Sequence, residues 1–283
     1  MQKIIDTHIH AWNLDKAHYS WLERNTSILN RTYAIEEIET ERKQSGITAG
    51  ILVQAANNTQ DTDWMLQVAA EHEWIKGVVG WLPLTDPVKT LQLLEDKYSN
   101  ESCFKGVRHL IHDERDPKWL LQPAVMESLK ILATKNIPYD VVGVLPEHIE
   151  TVISVANKIP DLMMVFDHLN QPPIKNKERF GVWGELMKAA SQHKNIYAKI
   201  SGLGTLADNY DRLSLDDTKP YIDFILEYFG VDRCFCGGDW PVSLLAGSYS
   251  QSWKMYKQAI NELVDEPERH KIFYSNAEQF YDI

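Results

Sequence analysis

The sequence predicts a single α/β domain, a (β/α)8 TIM barrel spanning residues 1–283, on three observations. Its 283 residues suit one such barrel, about 250 residues in typical cases. Eight short apolar runs alternate with eight amphipathic stretches, and each run is apolar nearly throughout, as strands covered on both faces of a parallel sheet are. Polar side chains also gather at the C-terminal ends of those runs, the rim that carries the active site in such barrels. A doubly wound open sheet usually shows a glycine-rich nucleotide loop after its first strand. Here the H-x-H of His8 and His10 takes that place.

The first strand, 3–9, runs into His8 and His10. Alternate strand residues face one way, so the two imidazoles converge, with Asp6 one step back on the same face, set to orient a histidine or the loop. A helix over 34–45 leads to strand two, 48–54, which ends on Gln54. The helix over 60–73 begins near Asp61 and that over 86–98 near Asp86, carboxylates suited to the exposed N–H groups of a first turn; strand three, 75–82, lies between them. Strand four, 103–109, ends on Arg108 and His109, neighbours of which at most one points straight into the barrel. A helix over 119–136 precedes strand five, 138–142, which neither ends on nor leads into a group that could do chemistry. A helix over 146–158 precedes strand six, 162–168, which closes on His168. A helix over 178–193 precedes strand seven, 195–201, with Lys199 and Ser201. A helix over 217–229, with Asp217 near its start, precedes strand eight, 232–238, which enters Gly237-Gly238-Asp239-Trp240-Pro241; the last helix covers 249–263.

The net charge of −11 argues against nucleic acid, an anionic membrane or another polyanion as partner, though not against a small anionic substrate. Three cysteines form no disulfide framework, and Cys234 and Cys236 read as small apolar residues of a buried strand. The chain enters a strand within three residues and holds no apolar run of the ~20 residues needed to cross a bilayer, so it is expected in the cytoplasm.

His8, His10 and His168 offer neutral imidazole nitrogens suited to Zn²⁺. Asp239, fixed between a glycine pair and Pro241, can bind a metal, accept a proton from water, or do both in turn. Arg108, His109 and Lys199 are candidates for an oxyanion or for substrate oxygens, the alternative for Lys199 being a buried lysine paired with rim carboxylates. Trp12 and Trp240 follow their motifs directly and could wall a sugar face, with Tyr249 and Gln54 hydrogen bonding to substrate; aromatics also commonly fill the layer between barrel and helices. The segment 14–32 either covers the barrel mouth or forms a subunit contact, as in a homodimer, and the loops 12–32, 110–120 and 203–216 carry specificity.

Together these segments resemble the amidohydrolase superfamily, in particular its "amidohydrolase 2" branch of sugar lactonases and pyrone-dicarboxylate hydrolases. The matching runs are Asp6-Thr7-His8-Ile9-His10-Ala11-Trp12, Gly106-Val107-Arg108-His109, Phe166-Asp167-His168-Leu169, Lys199-Ile200-Ser201-Gly202-Leu203 and Gly238-Asp239-Trp240-Pro241-Val242. The resemblance implies hydrolysis of a sugar-acid (aldono-) lactone, a small-molecule substrate, with Asp239, His168, Lys199 and Arg108 catalytic. It implies one divalent ion, zinc first, on His8, His10, His168 and Asp239. Lys199 stands where many metal-bearing relatives have a further ligand, so the ion is expected to be weakly held or dispensable. The rival readings are a metal-dependent decarboxylase of the same superfamily and a barrel that binds a sugar acid without turnover.

Overall fold

A computed structural model describes residues 3–176, 179–206 and 214–283. Eight parallel strands, β1 (Ile5–Ile9), β2 (Ala49–Val53), β3 (Ile75–Gly80), β4 (Phe104–His109), β5 (Tyr139–Val141), β6 (Met164–Phe166), β7 (Ile196–Ile200) and β8 (Cys234–Cys236), pair in chain order. Every expected strand forms, shorter by a residue or more at one or both ends. Beyond β8 the chain returns to β1: Ile9 bridges Trp240, and the His10 amide donates to the Trp240 carbonyl at 2.7 Å. The sheet thereby closes as a (β/α)8 barrel.

Around it lie α1 (Glu39–Gln44), α2 (Thr59–Glu71), α3 (Pro87–Leu93), α4 (Pro123–Thr134), α5 (Pro146–Lys158), α6 (Gly181–Ala190), α7 (Leu215–Phe229) and α8 (Tyr249–Leu263). The expected 34–45 helix begins as a 3-10 turn, Ile35–Ile38, and residue 178 of the expected 178–193 helix lies outside the described residues. Asp86 caps α3 by accepting the Lys89 amide, and Asp217 accepts the amide and hydroxyl of Ser214. Asp61 is not the cap of α2. Asn58 accepts its amide, and the Asp61 carboxylate turns inward to the amides of Ala55 and Ala56 and the hydroxyl of Tyr19.

Two apolar cores follow from the strand pattern. One joins the outer strand faces to the helices; the other fills the barrel with Ile5, Ile51, Val53, Val79, Val165 and Phe235. The interior core also takes in Ala277, Phe280 and Tyr281 of α10 (Asn276–Tyr281), which follows α9 (Glu266–His270). Neither short helix shows in the sequence pattern, because no strand follows to mark it. No helix among the described residues is long and apolar enough to cross a membrane.

Candidate active site

His8 and His10 turn to one point, but Asp6 does not share their face. The pairing register of β1 shifts between Asp6 and Ile9, which breaks simple alternation. Asp6 instead faces α8 and the glycine loop, accepting from Gly238 N–H at 2.7 Å, Tyr249 O–H at 2.6 Å and Trp253 Nε1 at 3.3 Å. Burial pushes its carboxyl up to about 6, against those donors, which lower it. Asp6 also accepts the His8 amide at 2.9 Å, so it fixes both the loop and the backbone at that histidine. Gly237 permits the close approach of that loop to β1, since a Cβ there would lie 2.5 Å from the His8 Cβ.

Asp239 occupies the left-handed region, with φ 57°. Its Oδ1 stands 3.6 Å from His10 Nε2, 3.8 Å from His8 Nε2 and 3.9 Å from His168 Nε2. Ligand atoms about 3.4 Å apart are what a tetrahedral ion with Zn–N bonds of about 2.0–2.1 Å requires. His8, His10 and Asp239 have ligand atoms within 4.8 Å of one another, so their chemistry and spacing fit a zinc ion. His10 is pre-aimed: its Nδ1 donates to the Val53 carbonyl at 2.7 Å, which leaves the Nε2 lone pair toward Asp239. His168 sits on a turn in which His168, Leu169, Asn170 and Gln171 all have positive φ. The Trp183 indole, donating to the Leu169 carbonyl at 2.8 Å, and Ser201 Oγ, 2.9 Å from His168 Nδ1, hold that turn. Burial pushes the His168 pKa down.

Beneath His8 lies a buried network of two cations and two carboxylates. Arg108 Nη1 donates to Asp167 Oδ2 at 2.9 Å and to His8 Nε2 at 3.2 Å, and Nη2 donates to the Gln54 carbonyl. A guanidinium cannot accept, and Asp167 Oδ1 at 3.3 Å from Nδ1 accepts, so these shorter contacts, against the Lys199 ammonium 3.4 Å from Nδ1, put the lone pair on His8 Nε2 and the proton on Nδ1. Burial is the largest influence on His8 and, against Asp167, holds it well below the ordinary histidine value, hence neutral. Burial raises the Asp167 carboxyl, but Lys199, His8 and Arg108 together hold it well below the usual carboxylate range. An ion on His8 Nε2 would compete with Arg108 for one lone pair.

Several expected substrate contacts are placed elsewhere. Lys199 is fully buried, 2.5 Å from Asp140 and 2.8 Å from Asp167, so its ammonium is committed below the rim. Tyr249 is fully buried on Asp6, and Gln54 is fully buried against Arg108 and Asn57, so both support the site from behind. Trp12 and Trp240 pack edge-on against Tyr33, and the Trp12 indole donates to the Arg31 carbonyl, so neither ring walls the mouth. His109 turns from the barrel axis and stacks on Trp119 at 4.0 Å. Its Nδ1 accepts from Trp81 at 3.0 Å, and Nε2 donates to Glu114 at 2.7 Å. Burial lowers the pKa of His109.

Strand five is not chemically silent, since Asp140 belongs to it and pairs with Lys199. Asp140, Asp167, Trp81, Glu114 and Tyr281 bond to the predicted site residues or to one another, and the strand-end pattern leaves them out. The segment 14–32 lies on the rim, with Trp21 donating to the Ala55 carbonyl and Tyr19 to Asp61. Part of it, with Asn57, Asn58, Gln60, Leu110 and Asp113, bounds a cavity of about 740 Å³. Residues 207–213 of the expected specificity loop lie outside the described residues.

The amidohydrolase family model matches residues 5–283. The chain is 29% identical to an L-fucono-1,5-lactonase of Burkholderia ambifaria, over 99% of this chain and 95% of that protein. It is 28% identical to an L-rhamnono-gamma-lactonase of Scheffersomyces stipitis, over 66% of this chain and 62% of that one. A crystal structure of an amidohydrolase from Burkholderia multivorans with bound zinc superposes with a TM-score of 0.90 at 25% identity, covering 99% of each chain.

Proposed function

The chain belongs to the amidohydrolase family, and on that premise we propose that it is a lactonase, opening the ring of a sugar-acid lactone with an activated water. The observation that carries this reading is the carboxylate of Asp239 set within 4 Å of three imidazole nitrogens at the C-terminal mouth of the barrel. The relatives named as fucono- and rhamnono-lactonases support the substrate class.

In this reading Asp239 takes a proton from water while the water oxygen bonds to the lactone carbonyl carbon. The carbonyl oxygen becomes an oxyanion. Its collapse breaks the ring C–O bond, and Asp239 returns the proton to the departing alkoxide, which gives the open hydroxy acid. Lys199 lies too deep for the oxyanion, and both ring nitrogens of His109 are bonded. Arg108 is likewise committed, Nη1 to Asp167 and His8 and Nη2 to Gln54, but it is the cation nearest the reacting atoms and favours the oxyanion through its field. His168, its side chain 12% exposed, is the most open of the three histidines and orients the substrate. Zinc on His8, His10 and Asp239, when bound, would supply a Lewis acid for the carbonyl or for water. A lactone is an activated ester, so the protein groups alone sustain some turnover. The cytoplasm suits three free thiols, Cys103, Cys234 and Cys236.

The test is acid release, followed with a pH indicator, from a panel of aldonolactones headed by L-fucono-1,5-lactone and L-rhamnono-γ-lactone, with and without chelator. Hydrolysis well above the spontaneous rate is expected for at least one. No release from any lactone, metal-loaded or not, would overturn the reading.

A further inference from the structure

Helix α10 closes the end of the barrel opposite the site, yet one of its side chains reaches the site's foundation. Tyr281, 1% exposed, packs in the interior core and donates its hydroxyl to both oxygens of Asp140, at 2.8 and 3.0 Å. Asp140 Oδ2 holds Lys199 Nζ at 2.5 Å, and Lys199 holds Asp167 Oδ1 at 2.8 Å. That same Asp167 oxygen faces the His8 Nδ1 proton at 3.3 Å, and Lys199 Nζ lies 3.4 Å from the same nitrogen. Asp140, Lys199, Asp167 and His8 are all fully buried, so a lost partner leaves a desolvated polar group behind.

We propose that Tyr281 is a positioning residue, which holds the His8 imidazole through Asp140, Lys199 and Asp167. The inference rests on His8 as a member of the reactive centre. Lys199 has two carboxylates to choose between. The Tyr281 hydroxyl keeps Asp140 turned toward the lysine, so the ammonium stays midway and Asp167 keeps one oxygen for His8 and the other for Arg108. Without that hydroxyl, Asp140 rotates, Lys199 shifts toward Asp167, and the partner that sets the ring orientation and basicity of His8 is weakened. Loss of a ligand's direct outer partner typically lowers metal affinity or activity about 10- to 100-fold, and a residue acting through that partner belongs at the lower end of the range. The bland alternative is that Tyr281 only fills the barrel floor beside Phe280 and Phe235.

Tyr281→Phe keeps the ring and its packing and removes only the hydroxyl. Three readouts separate the roles: the ring-nitrogen resonances of His8 in metal-free, ¹⁵N-histidine-labelled protein; the zinc dissociation constant by competition with a chromogenic chelator; and kcat against KM on whichever lactone is turned over. Expected are displaced His8 resonances, zinc affinity about tenfold weaker, and kcat about tenfold lower with KM within about twofold. Tyr98→Phe removes a hydroxyl bonded to Asp63 outside the barrel and should change none of the three. Unmoved His8 resonances with unchanged zinc affinity in folded Tyr281→Phe would overturn the proposal, whatever happens to the melting temperature. If that variant does not fold, 3-fluorotyrosine at 281 must displace the His8 resonances, and their standing still overturns it. The resonances need no substrate, so failure of the lactonase reading is seen separately.

Discussion

The backbone amide of Asp239 donates to the carbonyl oxygen of His8 at 2.7 Å, and the two side chains then face one another with Oδ1 3.8 Å from Nε2. The rung that closes the barrel is thus also the one that assembles the reactive centre. Residues from opposite ends of the sequence are placed by main-chain bonding. Their side chains can therefore be altered without undoing the placement, and this makes the chemistry testable.

Asp239→Asn keeps that rung and the side-chain volume but removes the proton acceptor. General acid–base groups are typically worth about 10²–10⁴ in rate, so kcat should fall by that range. Circular dichroism and melting temperature should stay near wild type. Lactone hydrolysis by initial rates, with a folding check on the same sample, decides it. Near-wild-type turnover would remove Asp239 from its proposed role.

Zinc should stabilise the folded protein through His8, His10 and Asp239. With free zinc at about 100 times its dissociation constant, one site adds about 2.7 kcal/mol, visible as a rise in melting temperature that chelator reverses. His10→Ala should abolish the rise. An equal rise in His10→Ala would place the ion elsewhere.

The barrel and much of the site are legible in the sequence because strand ends are local signals. His8 and His10 end one apolar run, and Asp239 follows another into a glycine pair. The supporting network is not legible for the same reason. Asp140 is one carboxylate inside an apolar run, and only the fold shows that its partner is Lys199, at a sequence distance of 59. Tyr281 lies 141 residues from Asp140 and looks like any core aromatic until its hydroxyl has a destination. Lys199 and Tyr249 were visible as polar groups near the rim, but alternation along a strand or a helix says which way a side chain points, not how deep it lies. The face of Asp6 differs from the one alternation predicts because a register shift in β1 leaves no mark on the residue types.

Asp6 makes stability depend on pH in a definite direction. Its carboxyl is pushed up to about 6 in the folded state by burial, against an ordinary 3.8. The folded state therefore binds the proton more tightly. This contribution is fully present below about pH 4 and is lost as pH rises through about 6. The gap is worth roughly 3 kcal/mol. Urea midpoints at pH 4 to 7 should show wild type losing stability relative to Asp6→Asn across that window. A wild-type-minus-variant difference that is the same at pH 4 and pH 7 would show that Asp6 is not raised.

Gly202 offers a test of geometry in which no functional group is removed. Its φ is +61°, and an added Cβ would meet His168 Nδ1 at 2.5 Å and Asp239 Oδ2 at 2.9 Å. Gly202→Ala therefore brings two penalties: left-handed strain of about 1–2 kcal/mol, and displacement of two site residues. Gly230 separates them. Its φ is +76° with ψ 159°, a region still less open to a non-glycine residue, and a Cβ there meets nothing within 4 Å, so Gly230→Ala carries backbone strain at least as large without displacing a site residue. Both variants should melt lower than wild type. A displacement of about 1 Å at a reacting centre is worth about 100-fold in rate, so Gly202→Ala should lose about that much in kcat/KM while Gly230→Ala keeps wild-type turnover. Equal activity losses in the two would mean that strain, not the aim of His168 and Asp239, governs turnover. Retained activity in Gly202→Ala would mean that these two side chains can move aside without harm, which is incompatible with a preorganised centre at the barrel mouth.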